Sequence, residues 1–351
     1  MRGSANKASA CRIRLRSVHA VIQSNDRRRT AAATDLALGN IAQARAVIPP
    51  CFLDTPQYED ELLNAALGRR VTVKVETANP IRSFKGRGVG FALTGVPAGA
   101  TVVCASSGNF GQAVAYVGRS RGLHVVVYTS TAINPVKRER MTAFGARVVE
   151  VGGGMEGARR AAASSAAEPD AHLIVDGVLP AIAEGAGTIA EELAREGEFD
   201  AVVAPIGDGS LISGLALWMR EHAPRTRIIG VNPADAPAMR RSVQAGRPIA
   251  VAPASDFAEG ITIPQPHPES LARVRALVDD IVLVDERALR DAMGLVARHL
   301  SVIAEPAGAA GIAAIAGGQV PHGRVATLIT GANPQPAVVA ALHDHLNLER
   351  P

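Results

Sequence analysis

The stretch "SFKGRGVG", Ser83–Gly90, sets a lysine directly after a phenylalanine and among glycines. A surface lysine needs no such company, because its ammonium is solvated wherever the stem points outward. A lysine that must form an imine with a carbonyl needs the reverse. It requires a partly desolvated pocket that favours the neutral amine, and a backbone that leaves room for a bulky ligand. On this stretch alone both readings are open.

Other stretches carry chemistry of their own. In "PIGDGSLISG", Pro205–Gly214, a strand end runs through a glycine turn into a helix start, so bare N–H groups converge on a spot that suits a phosphate. A dinucleotide fingerprint would need glycine at position 212, which is Ile212, and a Walker A loop would need a lysine that is not there. The loop is therefore a cradle for a lone phosphate or a plain tight turn. In "SSGNFGQA", Ser106–Ala113, Ser106, Ser107, Gly108 and Asn109 open a helix and form either a carboxylate cradle or an ordinary cap. "AEPAGAAG" (304–311) reads as capping chemistry around Glu305 and Pro306, and "LITGANP" (328–334) puts Thr330 at the end of the last strand.

These stretches need a scaffold, and the sequence supplies one. Short Val/Ile-rich runs at 70–77, 101–106, 124–129, 146–153, 200–207, 280–286 and 324–331 alternate with helical segments and end in Gly, Ser or Asp. "HLIVDG" and "RIIGVNP" continue the series. Nearly continuous hydrophobicity in strands of this length indicates buried parallel strands with helices on both faces, and ligands in such sheets bind at the strands' carboxyl ends. Every chemistry-bearing stretch sits at such an end.

Bulk composition narrows the class. With 351 residues, 47% apolar and 20% charged, the chain has the make-up of an ordinary soluble enzyme. No apolar run reaches the length of a membrane span. The formal charge of +4 comes from residues 1–30, where eight basic residues face a single acid, leaving the rest of the chain three negative. Nucleic acid is thus not an expected partner. Residues 1–33 read as a disordered basic extension, although an Arg- and Ser-containing, acid-poor tail is also the composition of a transit peptide. Cys11, Cys51 and Cys104 form neither a metal-ligand spacing nor a disulfide framework, which points to the reducing cytoplasm.

In order, "SFKGRG", "SSGNFGQA", "PIGDGSLISG", "EPAGAAG" and "TGANP" resemble the fold-type II pyridoxal-phosphate enzymes, most of all the serine/threonine dehydratase and serine racemase branch. The similarity runs from about Leu36 onward and includes "DTPQYEDELLNAALG" and "VTVKVETANPIRSFKGRG". The resemblance implies an α/β, tryptophan synthase beta-like fold of two open, twisted, mostly parallel sheets flanked by helices. It implies a large cofactor-binding domain of 34–100 and 178–351, a small domain of 101–177, and a homodimer acting on a small amino acid.

It also implies roles. Lys85 would hold pyridoxal 5'-phosphate covalently and Phe84 would pack on its ring. Asn109 would bond the ring's phenolic oxygen and Thr330 would meet the ring nitrogen. Gly207, Asp208, Gly209, Ser210 and Leu211 would bind the phosphate through backbone N–H groups. Ser106, Ser107, Gly108 and Asn109 would bind the substrate carboxylate. The glycines around Lys85 would make room for the cofactor. The implied reaction eliminates water from serine, threonine or a related β-hydroxy amino acid, and the resulting enamine takes water up again on hydrolysis to give a 2-keto acid and ammonia.

Departures from the family pattern qualify this. Asp208 and Ser210 interrupt a run of glycines, and the Asp208 carboxylate is expected to face solvent or a cation. Phe110 replaces a common histidine, and Ala332 a glycine. Ser107 is the racemase residue, which keeps racemisation as the alternative. The acids of the racemase metal site fall on Asn232 and Ala238, so no metal site and no strong Mg²⁺ or Ca²⁺ dependence is expected. Nothing after residue 351 corresponds to the regulatory domain of biosynthetic threonine dehydratases, so isoleucine feedback is not expected. β-Replacement ranks third, and a non-catalytic binding protein last, because Lys85 is retained.

Overall fold

The computed structural model describes residues 34–348; the basic extension expected over 1–33 lies outside the described residues. The described strands are β1 (Gln57–Glu59), β2 (Val71–Val75), β3 (Thr101–Ala105), β4 (His124–Ser130), β5 (Arg147–Val151), β6 (Ala171–Leu173), β7 (Ala201–Pro205), β8 (Arg227–Pro233), β9 (Asp280–Val284) and β10 (Val325–Ile329). They form two sheets. The larger runs β1-β2-β10-β7-β8-β9 and the smaller β5-β4-β3-β6. All pairings are parallel except β1 with β2.

Burial explains the sequence pattern. Every residue of β2, β7 and β10 is buried; β7 and β10 are almost wholly apolar, whereas β2 alternates valine with Thr72 and Lys74, polar side chains that are themselves buried. At one edge lies β1, a three-residue strand with an exposed Tyr58, whose pattern is too short to read in advance. The smaller sheet is formed entirely between Thr101 and Leu173, inserted in sequence between β2 and β7.

Helix starts follow local rules. Asn134 accepts a hydrogen bond from the Val136 amide at 2.9 Å with Pro135 at the first helical position, and Asp285 caps the Ala288 amide at 2.8 Å. The helix Pro180–Leu193 packs against both Lys85–Ala92 and Ser210–His222. A Cβ on Gly187 would stand 3.0 Å from the Gly214 carbonyl oxygen, so Pro180–Leu193 and Ser210–His222 approach almost backbone to backbone.

Beneath this layer lies a fully buried ionic cluster. The Arg87 guanidinium donates to both oxygens of Glu76 at 2.8 Å and to both oxygens of Glu192 at 2.7 and 2.8 Å. Lys74 pairs with Glu192 at 2.7 Å. Burial works against the Glu192 carboxylate, but the hydrogen bonds and charges of Arg87 and Lys74 outweigh it and hold its pKa at about 2.

Candidate active site

Lys85 opens its helix at the carboxyl ends of β2 and β10. The Phe84 amide donates to the Thr330 carbonyl at 3.1 Å, the Ala332 amide to the Arg82 carbonyl at 3.0 Å, and Ser83 bridges Gly331. The lysine is therefore fixed to Thr330 by backbone, not by side-chain packing alone. The glycines beside it correct the sequence reading. A Cβ on Gly86 would run into the Phe52 ring, and one on Gly88 into the Ile182 carbonyl. These glycines admit neighbouring protein, letting the helix sit close to the helix Pro180–Leu193. The ligand space lies on the other side of Lys85.

At the end of β7, Gly207 to Leu211 lead into the helix Ser210–His222. Among the described residues no protein acceptor takes the N–H of Gly207, Asp208, Gly209, Ser210 or Leu211. Five free amides at the N-terminus of a 13-residue helix make an anion cradle. Glycine is required at two points. Gly209 has φ +90°, and a Cβ there would stand 2.6 Å from the Ser270 hydroxyl; a Cβ on Gly207 would stand 3.1 Å from the Gly260 carbonyl. The cradle fits a phosphate.

At the end of β3, Ser106 turns its oxygen into the following helix and accepts from the Gly108 and Gly111 amides at 3.2 and 3.0 Å. It caps this helix, and its own hydroxyl hydrogen remains available. Ser107 makes no hydrogen bond among the described residues and lines the cleft. The Asn109 amide nitrogen donates to Glu305 at 2.5 Å, while its oxygen accepts from Asn333 at 2.9 Å. One amide hydrogen stays free for a ligand.

One cleft of about 180 Å³ is lined by every site residue read from the sequence: Phe84 and Lys85, Ser106 to Asn109, Gly207 to Leu211, and Thr330. Space on this scale accepts an aromatic ring. The sequence reading missed the charged groups completing the wall: Lys137, Arg159, Asp176 and Glu259. Lys137 pairs with Glu259 and lies 3.8 Å from Glu305. Burial opposes its ammonium, but the two glutamates outweigh this and hold Lys137 above the usual lysine range. Burial pushes the Glu305 carboxyl up, with Glu259 adding to the effect. Asp176 pairs with Lys85 and accepts from Ser210 at 2.8 Å. It follows β6 in "HLIVDG", where an aspartate at a strand end was the only signal in the sequence.

Asp208 is half-buried on the cleft wall, with Lys85 and Arg159 acting on its carboxyl through space and without an ion-pair contact. Burial and the neighbouring Asp176 push its pKa up to about 6. The position where the racemase pattern has an acid is closed by protein: Asn232 donates to the Ile206 carbonyl at 2.7 Å and accepts from the Arg240 amide at 3.0 Å.

The family model of pyridoxal-phosphate dependent enzymes matches residues 48–331. The chain belongs to that family. It is 33% identical over 306 residues to the biosynthetic L-threonine dehydratase of Mycobacterium bovis, covering 84% of this chain and 71% of that protein. To the enzyme of the same name from Pasteurella multocida it is 29% identical over 265 residues, 74% of this chain. The chain spans about half the length of that relative, 52%. The structure is similar to the processed form of threonine deaminase isoform 2 from Solanum lycopersicum, with TM-score 0.80 and 25% identity, covering 90% of this chain and 96% of that one. It is similar also to maize serine racemase, with TM-score 0.79 and 27% identity, covering 89% and 98%. The α/β fold of two mostly parallel sheets is therefore that of the fold-type II pyridoxal-phosphate enzymes, and pyridoxal phosphate is the cofactor of the family to which the chain belongs. No described helix is long and apolar enough to cross a membrane.

Proposed function

We propose that the protein is a dehydratase, or ammonia-lyase, that converts L-serine, L-threonine or a related β-hydroxy amino acid to a 2-keto acid and ammonia. The observation that carries this reading is the convergence of Lys85, the five free amides of 207–211 and Thr330 on one cleft, in a chain similar to threonine dehydratases. The free amides would hold the cofactor phosphate, Phe84 would support its ring, and Asn109 and Thr330 would meet its phenolic oxygen and ring nitrogen. When bound, the cofactor supplies an electron sink for bonds broken at the substrate's α carbon. Ser106, Ser107 and the start of the helix Asn109–Ser120 receive the substrate carboxylate. Lys85 takes the α proton. Thr330 would offer the ring nitrogen a neutral hydroxyl and not a carboxylate, and so would supply no fixed counter-charge there.

The same reading divides the chain into a large cofactor-binding domain, 34–100 and 178–351, and a small domain, 101–177, with a homodimer as the working form and the cytoplasm as its place. Amino-acid racemisation is the second reading. It is favoured by the unpartnered Ser107 hydroxyl on the cleft wall and by the likeness to maize serine racemase. The deciding experiment incubates the protein with L- and D-forms of β-hydroxy amino acids while keto acid, ammonia and enantiomer ratio are followed. Keto acid outpacing inversion supports the dehydratase, and faster appearance of the D-enantiomer reverses the order.

A further inference from the structure

The sequence motifs leave one group at the centre of the cleft without a task. Asp176 follows β6, and its carboxylate, with 10% of the side chain exposed, pairs with the Lys85 ammonium through one oxygen. The other oxygen accepts from the Ser210 hydroxyl at 2.8 Å and the Gly177 amide at 3.0 Å. The Gly177 amide also lies 3.0 Å from the Ser210 oxygen. Gly177 has φ +81°, and a Cβ on it would stand 3.0 Å from the Asp208 Cβ, so the turn carrying Asp176 is pressed against the anion loop.

We propose that Asp176 is a positioning residue for Lys85: its carboxylate holds the lysine's free ammonium and, through Ser210, ties that lysine to the anion-binding loop. The proposal rests on the reading of Lys85 as the cofactor lysine. A lysine that repeatedly gains and loses a covalent partner needs a place for its charge in the intervals. Solvent does not provide it, since only 17% of the Lys85 side chain is exposed. A carboxylate anchored by two further hydrogen bonds does, because its orientation costs little entropy to maintain. The other charged groups facing the pair are Asp208 on the loop, Arg159 on the helix Gly154–Ser165 and His267 ahead of the helix Pro268–Leu277. None of these forms an ion pair with Lys85 within 4 Å among the described residues.

The test reads Lys85 directly, without turnover. Cofactor-free protein is labelled with an uncharged amine reagent across a range of pH, and the Lys85 peptide is quantified. In Asp176→Asn, which no longer holds the ammonium, Lys85 is labelled about tenfold faster than in the wild type at neutral pH, and Asp176→Glu restores most of the wild-type rate. An Asp176→Asn profile that coincides with wild type overturns the proposal. If that variant does not fold, a zero-length carbodiimide reaction on the wild type decides. Coupling of the activated Asp176 carboxyl to the Lys85 amine, with loss of water, is expected. Its absence while Lys137 and Glu259 do couple overturns the proposal without any variant. Borohydride treatment of the wild type with pyridoxal phosphate is run alongside. Failure to fix the cofactor on Lys85 would sink the cofactor reading itself, whereas fixation with unchanged labelling sinks only the role of Asp176.

Discussion

The Asn109 side-chain amide donates to Glu305 at 2.5 Å, joining residues 196 positions apart. Asn109 begins the helix after β3 of the smaller sheet, and Glu305 precedes the helix Pro306–Ala316 that packs on the larger one. This bond spans the cleft between the two sheets, together with the Asn333-to-Asn109 bond and the Lys137–Glu259 pair. Its geometry depends on Glu305, whose second oxygen is buried without a hydrogen-bond partner.

Lys85→Ala removes the proposed covalent anchor. The wild-type protein with cofactor is expected to be yellow, absorbing at about 410–420 nm, and borohydride is expected to fix the cofactor on the Lys85 peptide. The variant should bind cofactor without fixation, and recovery of the label on another lysine would show the assignment to be wrong.

Ser107 distinguishes the two readings. In a dehydratase its hydroxyl serves mainly the carboxylate, so Ser107→Ala should leave elimination from the L-substrate within about tenfold, a loss of roughly 1.4 kcal/mol. Any reaction of the D-substrate should vanish. D-product formed by the Ser107→Ala protein would remove the serine from its assigned role.

Chelation should leave at least about half the activity. Asn232 spends both ends of its amide on Ile206 and Arg240, and position 238 is an alanine, so no carboxylate from this pair is offered to Mg²⁺ or Ca²⁺. Loss of all activity with recovery on adding either ion would show that another acid holds a metal.

Asp208 should weaken phosphate binding in a pH-dependent way. Its folded pKa of about 6 lies above the ordinary 3.8. Near pH 5 the carboxyl is mostly protonated in the folded protein, and above pH 6 it ionises beside the anion cradle. Asp208→Asn should therefore tighten cofactor binding about three- to tenfold at pH 8 and change it little near pH 5. The sign for stability agrees. A carboxyl whose folded pKa is raised costs stability above pH 6, and that cost fades as the pH falls toward 3.8. Equilibrium titration with cofactor at the two pH values checks the binding claim; equal effects at both would contradict it.

Glu192 works in the opposite sense. Its pKa falls from 4.5 to about 2 on folding, so its stabilisation is complete above pH 4.5 and is lost as the pH drops toward 2. The difference is on the order of 3 kcal/mol. Glu192→Gln should flatten the acid limb of the stability curve in that window. At neutral pH it should lower stability by about 3–5 kcal/mol, because Arg87 and Lys74 lose a buried counter-charge. Denaturant titrations at several pH values measure both effects.

Much of this site was legible in the sequence because each motif is local. "PIGDGSLISG" carries its strand end, turn and helix start together, and the strand series at 71–75, 101–105 and 325–329 announces itself by short Val/Ile-rich runs that end at loop residues. What was not legible arises from approach. Asp176 acquires meaning only because Lys85, 91 positions earlier, reaches it. Lys137 and Glu259 meet across 122 positions. The glycines of "SFKGRGVG" look like room for a ligand until Phe52 and Ile182 are seen against them. Spacing records periodicity within an element, and it carries no trace of which distant side chain will close over it.

The strand order of the larger sheet also has a consequence for how the protein is made. β10 (Val325–Ile329) lies between β2 and β7, and Gly331 bridges Ser83. While the ribosome is still elongating, β2 and β7 have emerged and both lack the neighbour that separates them in the finished sheet. The segment holding Lys85 has no Thr330 carbonyl to dock on until about residue 331 has left the exit tunnel. The smaller sheet, built from one continuous stretch, can form well before that. The nascent chain thus carries a half-assembled sheet whose central slot stays open until β10 emerges, the interval in which such a topology is most exposed to mispairing and most in need of chaperones.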